Sequence, residues 1–330
     1  MSASGTMERL FSGIQPTGEL HIGNYLGAIR NWIAVQPTHE CIYCVVDYHA
    51  LTIPYEIDEM QRRIFDLSCG LLACGIDPDR ATLFVQSHVP QHTELAWVFN
   101  TVTSMGELSR QTQFKSKSEQ HADNINAGLF TYPVLQAADI LLYKASKVPV
   151  GEDQAQHLEL SREIARRFNL RFGETFSEPS TMFSSMPRIK GLDGQAKMSK
   201  SLGNTIAVDE EPDELRRKLA KAYTDPGKLR RHDPGNPDIC NIYTLHTFFS
   251  GADVVAEVNR DCRSGALGCV ECKRRLGDAM IAHFEPIRRR WAELRADPAR
   301  VRAILDAGGA HCLKLAEETM VEVRRKLGLR

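Results

Sequence analysis

The chain has 330 residues, of which 42% are hydrophobic and 25% are charged. This composition excludes a disordered or collagen-like chain, and the length is enough for two domains. No stretch approaches the ~20 apolar residues of a membrane-spanning helix, and residues 1–10 lack the basic and apolar regions of a secretion signal. We therefore expect a cytoplasmic protein that does not interact with a membrane.

The net charge of −1 hides an uneven distribution along the chain. Residues 1–187 carry 14 basic and 21 acidic side chains, whereas residues 188–330 carry 27 and 21. A basic half favours contact with a polyanion such as a nucleic acid. A solvated helical surface would give the same composition, so charge alone leaves both interpretations open.

The first half of the chain alternates short apolar runs with amphipathic segments. This pattern predicts strands at 10–12, 41–46, 81–86 and 147–150. It predicts helices at 22–34, 57–75, 133–144 and 153–168. Near-continuous apolar strands separated by helices are typical of a parallel sheet covered on both faces. We therefore predict an α/β fold with a Rossmann-type, doubly wound parallel sheet.

The second half has a different character. Residues 176–205 are rich in Ser, Gly, Met and Pro, which predicts a loop and a domain boundary, and the patterns after residue 210 are helical. We predict a Rossmann-type domain at 1–205 and an all-helical domain at 206–300. A C-terminal helix at 301–330 would pack back on the first domain.

A turn rich in glycine and proline joins the first strand to the first helix, in the segment Gly13–Asn24. Glycines let the backbone approach a ligand, and the N-terminus of a helix attracts phosphate. His21 and Asn24 are three residues apart, so they share one face of the first helical turn and can donate hydrogen bonds to a polyphosphate. A purely structural strand–helix turn uses the same residue types.

A second motif, Lys197-Met-Ser-Lys-Ser201, lies in the glycine-rich loop. Two ammonium groups and two hydroxyls suit an anionic leaving group whose charge develops in the transition state. Taken alone, a solvated Lys/Ser loop would look the same.

Together the two motifs, 173 residues apart, resemble the HIGH and KMSKS signatures of class I aminoacyl-tRNA synthetases. Further segments resemble the tryptophanyl-tRNA synthetases of bacteria and organelles, namely 11–18, 21–28, 46–51, 132–143 and 148–157. The resemblance implies an enzyme that activates L-tryptophan with ATP and Mg²⁺, releases pyrophosphate and transfers tryptophan to tRNA(Trp). It also implies a homodimer, with tRNA bound by the helical domain at 206–300.

The resemblance assigns roles to residues of this sequence. The catalytic set that it implies is His21, Asn24, Lys117, Lys197 and Lys200, with Lys115 beside Lys117. The ATP-binding set is Gln15, Pro16, Thr17, Gly23, Asn24, Gly151, Glu152, Asp153, Ile189, Lys197, Met198, Ser199, Lys200 and Ser201. The tryptophan-binding set is Asp139, Phe11, His49, Tyr132, Val150 and Gln154.

Asp139 is the residue that we expect to select the amino acid. A buried carboxylate can accept the indole N–H, which is the one polar group of the tryptophan side chain. A site that hydrogen-bonds its ligand rejects analogues that leave its polar group unpaired. Two departures from the family concern details of this region: Gln136 stands where many relatives have Met, and residues 189–196 are one residue shorter than usual.

Four cysteines in the basic half, Cys240, Cys262, Cys269 and Cys272, are spaced as C-x21-C-x6-C-x2-C. Four thiolates bind either tetrahedral zinc or an iron–sulfur cluster. Structural zinc sites more often have two close C-x2-C pairs, and only one is present here. Because a branch of the family carries a [4Fe-4S] cluster in this region, we expect such a cluster. Zinc and free thiols are the alternatives.

Two other functions compete with the main prediction. A tyrosyl-tRNA synthetase-like enzyme would share the fold and both motifs, and would differ in the segment 150–154. A non-aminoacylating relative, an RNA-binding or redox-sensing protein that uses the cysteines, would have no need of both intact motifs.

Overall fold

The computed structural model describes residues 7–111, 124–151, 155–183, 189–196, 198–199 and 202–329 of the chain. They contain a five-stranded parallel sheet of β1 (Arg9–Ile14), β2 (Glu40–Val45), β3 (Ala81–Val85), β4 (Lys147–Val150) and β5 (Ser180–Phe183). The strand order is β3-β2-β1-β4-β5, and each neighbouring pair is parallel.

The strand order changes direction at β1. The chain adds β2 and β3 on one side of β1 and then β4 and β5 on the other. In sheets of this kind a crevice opens at the carboxyl ends of the two strands where the order reverses, here β1 and β4. The predicted Rossmann-type, doubly wound sheet is confirmed.

Helices connect the strands. Those described between β1 and β5 are α1 (Ile22–Asn24), α2 (Arg30–Val35), α3 (Asp47–Ala50), α4 (Ile57–Cys74), α5 (Gln91–Asn100), α6 (Met105–Ser109), α7 (Ala127–Leu142) and α8 (Ala155–Phe172). A π-helical segment, Tyr25–Ile29, joins α1 to α2, and a 3₁₀ turn, Gln86–His88, follows β3. None of the described helices is both long and apolar enough to cross a membrane.

The rest of the described chain is helical, as predicted. It comprises α9 (Pro212–Lys221), a 3₁₀ turn (Pro237–Ile239), α10 (Asn241–Phe249), α11 (Ala252–Ser264), α12 (Cys269–Ala296) and α13 (Pro298–Lys326).

Helices α3, α5 and α6 were not predicted from the sequence, and two further elements differ from the prediction. The strand β5 lies inside the segment 176–205 that the composition assigned to a loop. Helix α7 begins at Ala127 rather than at Pro133, because the Asn126 side chain caps it by accepting a hydrogen bond from the Leu129 amide at 2.9 Å. Proline is common at a helix start, but Pro133 here lies inside the helix.

The chain divides into two compact units. The first comprises Met1–Thr17, Ala28–Ser185 and Asp297–Arg330, and the second comprises Gly18–Gly27 and Met186–Ala296. The C-terminal helix α13 therefore belongs to the same unit as the sheet. The two units are defined by packing, whereas the predicted domains at 1–205, 206–300 and 301–330 are defined by their expected functions. The boundaries of those domains therefore stay predictions.

Helix α13 covers the edge strand β3 through two glycines. A Cβ placed on Gly308 would lie 2.1 Å from the carbonyl oxygen of Leu83, and one on Gly309 would lie 3.1 Å from Nδ1 of His88. The helix backbone therefore touches the strand directly, which only glycine permits at position 308.

We expect Gly308→Ala to destabilise the first unit. The added methyl overlaps a backbone oxygen, and overpacking of this kind costs about 1–3 kcal/mol. The free energy of unfolding, measured in denaturant, checks this. Gly106→Ala is the matched control, because its Cβ would meet its nearest atom, Nη1 of Arg110, at an ordinary 3.5 Å. Equal stability of the two variants would contradict the close packing of α13.

Candidate active site

A cavity of about 300 Å³ lies within the first unit. Its wall is built from the carboxyl ends of β1 and β4, from residues just after β2, and from one side of α7. The side chains or backbone that line it include Phe11, Ser12, Gly13, Gln15, Trp32, Val46, His49, Tyr132, Gln136, Asp139, Ile140, Pro149 and Gly151. This is the crevice that the strand order predicts for a ligand, and its volume suits a small molecule.

The cavity brings together residues that the sequence predicted separately. Phe11, His49, Tyr132 and Asp139 of the tryptophan-binding set line it. So do Gln15 and Gly151 of the ATP-binding set. These residues are far apart in the chain and meet because β1, β2 and β4 end at the same edge of the sheet.

Asp139 is the most buried acidic group of this wall, with 1% of its surface exposed. Its carboxylate accepts three hydrogen bonds. Oδ1 accepts one from Nε2 of Gln86 at 2.7 Å and one from Nδ1 of His92 at 2.7 Å. Oδ2 accepts one from Nε2 of His49 at 2.8 Å. A carboxylate has about four acceptor directions, so one remains on Oδ2.

The surroundings of Asp139 keep it ionised. Burial raises the pKa of its carboxyl group, but the charges and hydrogen bonds of His49 and His92 outweigh burial and lower the pKa from 3.8 to about 2. The cavity wall therefore contains a carboxylate that is ionised at neutral pH and has one acceptor direction left on Oδ2. Such a group suits a neutral donor such as an aromatic N–H.

Tyr132, another residue of the wall, is held by a buried histidine. The hydroxyl of Tyr132 hydrogen-bonds to Nε2 of His157 at 3.1 Å, and both residues are buried. Burial raises the pKa of Tyr132, so its hydroxyl stays protonated.

The helix-start part of the first predicted phosphate-binding motif, from Gly18 to Asn24, lies in the second unit. The backbone amide of His21 donates to Oδ1 of Asn24, and the Asn24 amide donates to Nδ1 of His21. This reciprocal cap fixes both side chains at the start of α1. It also assigns the proton of a neutral His21 ring to Nε2. The capping bonds therefore use neither Nε2 of His21 nor Nδ2 of Asn24, which are the hydrogen-bond donor atoms of these side chains.

The two motifs are adjacent within the second unit. Residues 20–22 hydrogen-bond in antiparallel fashion to residues 206–208, through the Ile22 amide to Ile206 and the Val208 amide to Leu20. A Cβ on Gly23 would lie 2.9 Å from Nδ1 of His21 and 3.2 Å from Cβ of Met198. Glycine at position 23 thus lets the helix start approach the KMSKS loop closely.

The described part of the KMSKS loop is anchored at Met198 and Ser199. Met198 is buried and its amide donates to the carbonyl of Ile189 at 3.3 Å. The Ser199 amide donates to Oδ1 of Asn204 at 2.8 Å, and Nδ2 of Asn204 donates to Asp193 at 2.7 Å. That bond is the main cause of the lowered pKa of Asp193.

Comparison with known proteins assigns the family. The family model for class I tRNA synthetases (W and Y) matches residues 5–285. A tryptophan–tRNA ligase of Deinococcus radiodurans is 50% identical over 98% of this chain and 99% of that protein. A tryptophan–tRNA ligase of Thermotoga maritima is 43% identical over 97% of this chain and 99% of that protein. The chain belongs to the class I tRNA synthetases.

Solved structures agree with this assignment. The crystal structure of the Campylobacter jejuni tryptophanyl-tRNA synthetase complexed with ADP and tryptophan has a TM-score of 0.88 and 34% identity. The superposition covers 97% of this chain and all of the Campylobacter jejuni chain. The family that the two motifs predicted is therefore confirmed, down to its tryptophanyl branch.

Several predicted site residues lie outside the part of this synthetase that the structure describes. They are Lys115, Lys117, Glu152, Asp153, Gln154, Lys197, Lys200 and Ser201, together with the side chain of Val150. Their roles stay predictions, as do those of Pro16, Thr17 and Ile189.

The sequence analysis of this synthetase missed Gln86 and His92, which hold Asp139. Gln86 had a usable signal, because it is the polar residue that ends the predicted strand 81–86 at the ligand-binding edge of the sheet. His92 had none, since its position in the first turn of α5 looks like any buried helix residue.

The four cysteines of the synthetase line one small cavity in the second unit, together with Lys228 and Tyr243. Cys240 precedes α10, Cys262 is on α11, and Cys269 and Cys272 are in the first turn of α12. Burial raises the pKa of the Cys272 thiol to about 12, and the charges of the other three cysteines add to this.

The described residues contain no group of three or more His, Cys, Asp or Glu side chains arranged to hold a metal ion. The predicted metal site is therefore not shown. What the structure supports is the convergence of the four cysteines on one cavity.

We expect the contribution of Asp139 to the stability of this synthetase to depend on pH. Its pKa is lower in the folded protein than in the unfolded chain, so its stabilisation is complete above about pH 4 and is lost as pH falls through about 2. A shift from 3.8 to about 2 corresponds to about 2 kcal/mol.

The measurement is the free energy of unfolding of wild type and Asp139→Asn from pH 6 to pH 2. The difference between the two proteins should shrink below about pH 4. Asp79→Asn, at an exposed aspartate, controls for the loss of a negative charge. A difference that does not change over this range would contradict an ionised, stabilising Asp139.

Proposed function

We propose that the protein is a tryptophan–tRNA ligase, which activates L-tryptophan with ATP and transfers it to the 3′ end of tRNA(Trp). Full-length similarity to enzymes of that name supports the proposal. The observation that carries it is the ionised carboxylate of Asp139 in the wall of the cavity, with one acceptor direction left on Oδ2.

Asp139 would select tryptophan through its indole N–H. The aromatic side chains of Phe11 and Tyr132 supply an apolar surface for the indole rings, and Oδ2 of Asp139 accepts the N–H. An apolar wall alone would hold many aromatic ligands. A buried charge left without its hydrogen bond disfavours a ligand without a donor at this position.

The first reaction needs no protein nucleophile. A carboxylate oxygen of tryptophan attacks the α-phosphorus of ATP, the bond to the bridging oxygen breaks, and pyrophosphate leaves with that electron pair. The protein therefore acts by positioning the reactants and by stabilising charge. Mg²⁺ bound to ATP supplies part of that charge.

The two motifs would act on the phosphates. His21 and Asn24 donate hydrogen bonds from the start of α1, and the capping bonds hold both side chains in place. Lys197, Lys200 and Ser201 would stabilise the departing pyrophosphate, with Lys117 as a further cation. Gln15, Pro16, Thr17, Gly23, Gly151, Glu152, Asp153 and Ile189 complete the proposed ATP site.

In the second reaction a hydroxyl of the 3′-terminal adenosine of tRNA attacks the tryptophan carbonyl, and AMP leaves. We assign the catalytic domain to 1–205 and the tRNA-binding domain to 206–300. Exposed arginines of this second region support contact with phosphates, namely Arg230, Arg231, Arg289 and Arg290. Other basic residues there are engaged in ion pairs, such as Arg274 with Asp278 and Arg275 with Glu257.

We also propose a cytoplasmic homodimer formed through the first unit. Trp97 on α5 and Met105 on α6 are 73% and 70% exposed, and both helices pack against α7. Large apolar side chains in such positions are typical of protein–protein interfaces. Leu51 and Ile125, on segments joined by a hydrogen bond from Asn126 to the Thr52 carbonyl, are exposed as well.

For the cysteine cavity we propose a [4Fe-4S] cluster, held by Cys240, Cys262, Cys269 and Cys272. These four thiols from three helical segments converge on one cavity. Cluster binding would replace their protons with iron, which offsets the cost of charging buried thiols. Its use would be to fix the fold of this helical region, since it would join the starts of α10 and α12 to α11.

The first test is ATP–pyrophosphate exchange with tryptophan and with tyrosine. We expect exchange with tryptophan only. Asp139→Ala should lower kcat/KM for tryptophan by roughly 100-fold, because it removes a hydrogen bond to a charged group and leaves the indole N–H unpaired.

Asp306→Ala, at an exposed aspartate on α13, is the control for general damage. Exchange with tyrosine at the rate of tryptophan would move the protein to the tyrosyl branch. No exchange with either amino acid would contradict the ligase.

The second test is the metal content of protein purified without oxygen. We expect about four iron and four sulfide per chain. Cys269→Ser should lose them, whereas Cys74→Ala, a change at a buried cysteine of α4, should retain them. One zinc per chain, or no metal, would contradict the cluster and leave the ligase unaffected.

A further inference from the structure

Two residues that are not among those lining the cavity donate hydrogen bonds to the carboxylate of Asp139. Gln86 and His92 both donate to Oδ1, at 2.7 Å each, and both are completely buried. Because two donors occupy the two lone pairs of Oδ1, that oxygen has no capacity left for a ligand. Oδ2 is then the only oxygen of this carboxylate that can accept a hydrogen bond from a ligand.

The amide of Gln86 has a single possible orientation. Its Oε1 accepts a hydrogen bond from the backbone amide of Tyr48 at 3.1 Å. A flipped amide would place its NH₂ group against that backbone donor. Nε2 of Gln86 is thereby committed to Asp139.

The ring of His92 is fixed in the same way. Its Nδ1 donates to Asp139, and its Nε2 hydrogen-bonds to the hydroxyl of Tyr143 at 2.7 Å. Rotation of the ring by half a turn would replace both nitrogens by carbons and break both bonds. The Tyr143 hydroxyl in turn hydrogen-bonds to the thiol of Cys312 on α13. Tyr143 and Cys312 are also fully buried.

We propose that Gln86 and His92, with Tyr143 behind His92, are positioning residues for amino-acid selection, which turn Oδ2 of Asp139 toward the indole N–H of tryptophan. The proposal rests on the proposed role of Asp139, and it explains how the Asp139 carboxylate is kept in one orientation. Two committed donors on one oxygen allow the carboxylate one rotational position. Selection of the N–H then depends on residues that the substrate never touches.

The test measures how strongly the enzyme prefers tryptophan over β-(3-benzothienyl)alanine, in which sulfur replaces the indole N–H at nearly the same shape. The preference is the ratio of the inhibition constant of the analogue to the KM of tryptophan, both from ATP–pyrophosphate exchange. Damage to packing alone would weaken both ligands and leave the ratio unchanged. A misplaced Oδ2 would weaken tryptophan selectively.

We expect His92→Leu to lower the ratio by roughly ten-fold, since the carboxylate loses one of the two donors that orient it. His92→Asn should retain most of the ratio, because its Nδ2 can replace Nδ1 of the histidine. Tyr143→Phe removes one hydroxyl and retains the ring, so it should lower the ratio by a smaller factor even if His92→Leu does not fold. The KM for ATP should stay unchanged in all three.

Ser68→Ala is the control. It removes a fully buried hydroxyl, as Tyr143→Phe does, but this hydroxyl donates to the Ile64 carbonyl of its own helix, α4, and no residue of α4 is among those that line the cavity. It should lower stability and leave the ratio at the wild-type value. A similar loss of the ratio in Ser68→Ala and Tyr143→Phe would overturn the proposal.

Asp139→Asn separates this inference from the proposed function. Gln86 and His92 would hold the amide oxygen of the introduced asparagine where Oδ1 of Asp139 lies, so its NH₂ group would face the indole N–H and abolish the preference. An unchanged ratio in Asp139→Asn would refute the role of Asp139 itself. A ratio lost in Asp139→Asn but retained in both His92→Leu and Tyr143→Phe would overturn the positioning role alone.

Discussion

The structure around the cavity depends on keeping one buried carboxylate ionised. An isolated charge in a protein interior costs several kcal/mol unless donors surround it. Asp139 obtains its donors from three different places in the chain: His49 after β2, Gln86 at the end of β3, and His92 on α5. The sheet and α7 must therefore be assembled before the site exists. The selectivity that we propose for Asp139 would therefore depend on the whole first unit.

The strand order explains why such donors converge. Parallel strands end at the same edge of the sheet, so polar residues that follow β2 and β3 meet side chains from α7. The reversal of strand order at β1 leaves the crevice that is lined by Phe11 of β1 and by Gly151, directly after β4. Hydrogen-bond donors from several elements can thus surround one carboxylate without the burial of a loop.

The sequence allowed the type of sheet, the family and six residues of the cavity wall to be predicted. Apolar runs marked four strands, whereas β5 (Ser-Thr-Met-Phe) was hidden because half of it is polar and it lies at the sheet edge. Gln86 and His92 were missed for a different reason. They lie 53 and 47 residues from Asp139 in sequence, and no local pattern encodes a hydrogen bond over that distance. Resemblance identified the residue that is expected to touch the substrate, and only the structure identified what holds it.

The Asp139 network and the described residues of the His21–Asn24 and KMSKS motifs lie in different units. The described residues around Asp139 all belong to the first unit, whereas His21, Asn24, Met198 and Ser199 belong to the second. Within the second unit the antiparallel pairing of residues 20–22 with 206–208 ties the two motifs together, and Gly23 permits their contact. The two signatures, 173 residues apart in sequence, are therefore one structural feature. A substitution in the Asp139 network can change which amino acid is accepted while this feature, and the hydrogen bonds that cap α1, stay intact.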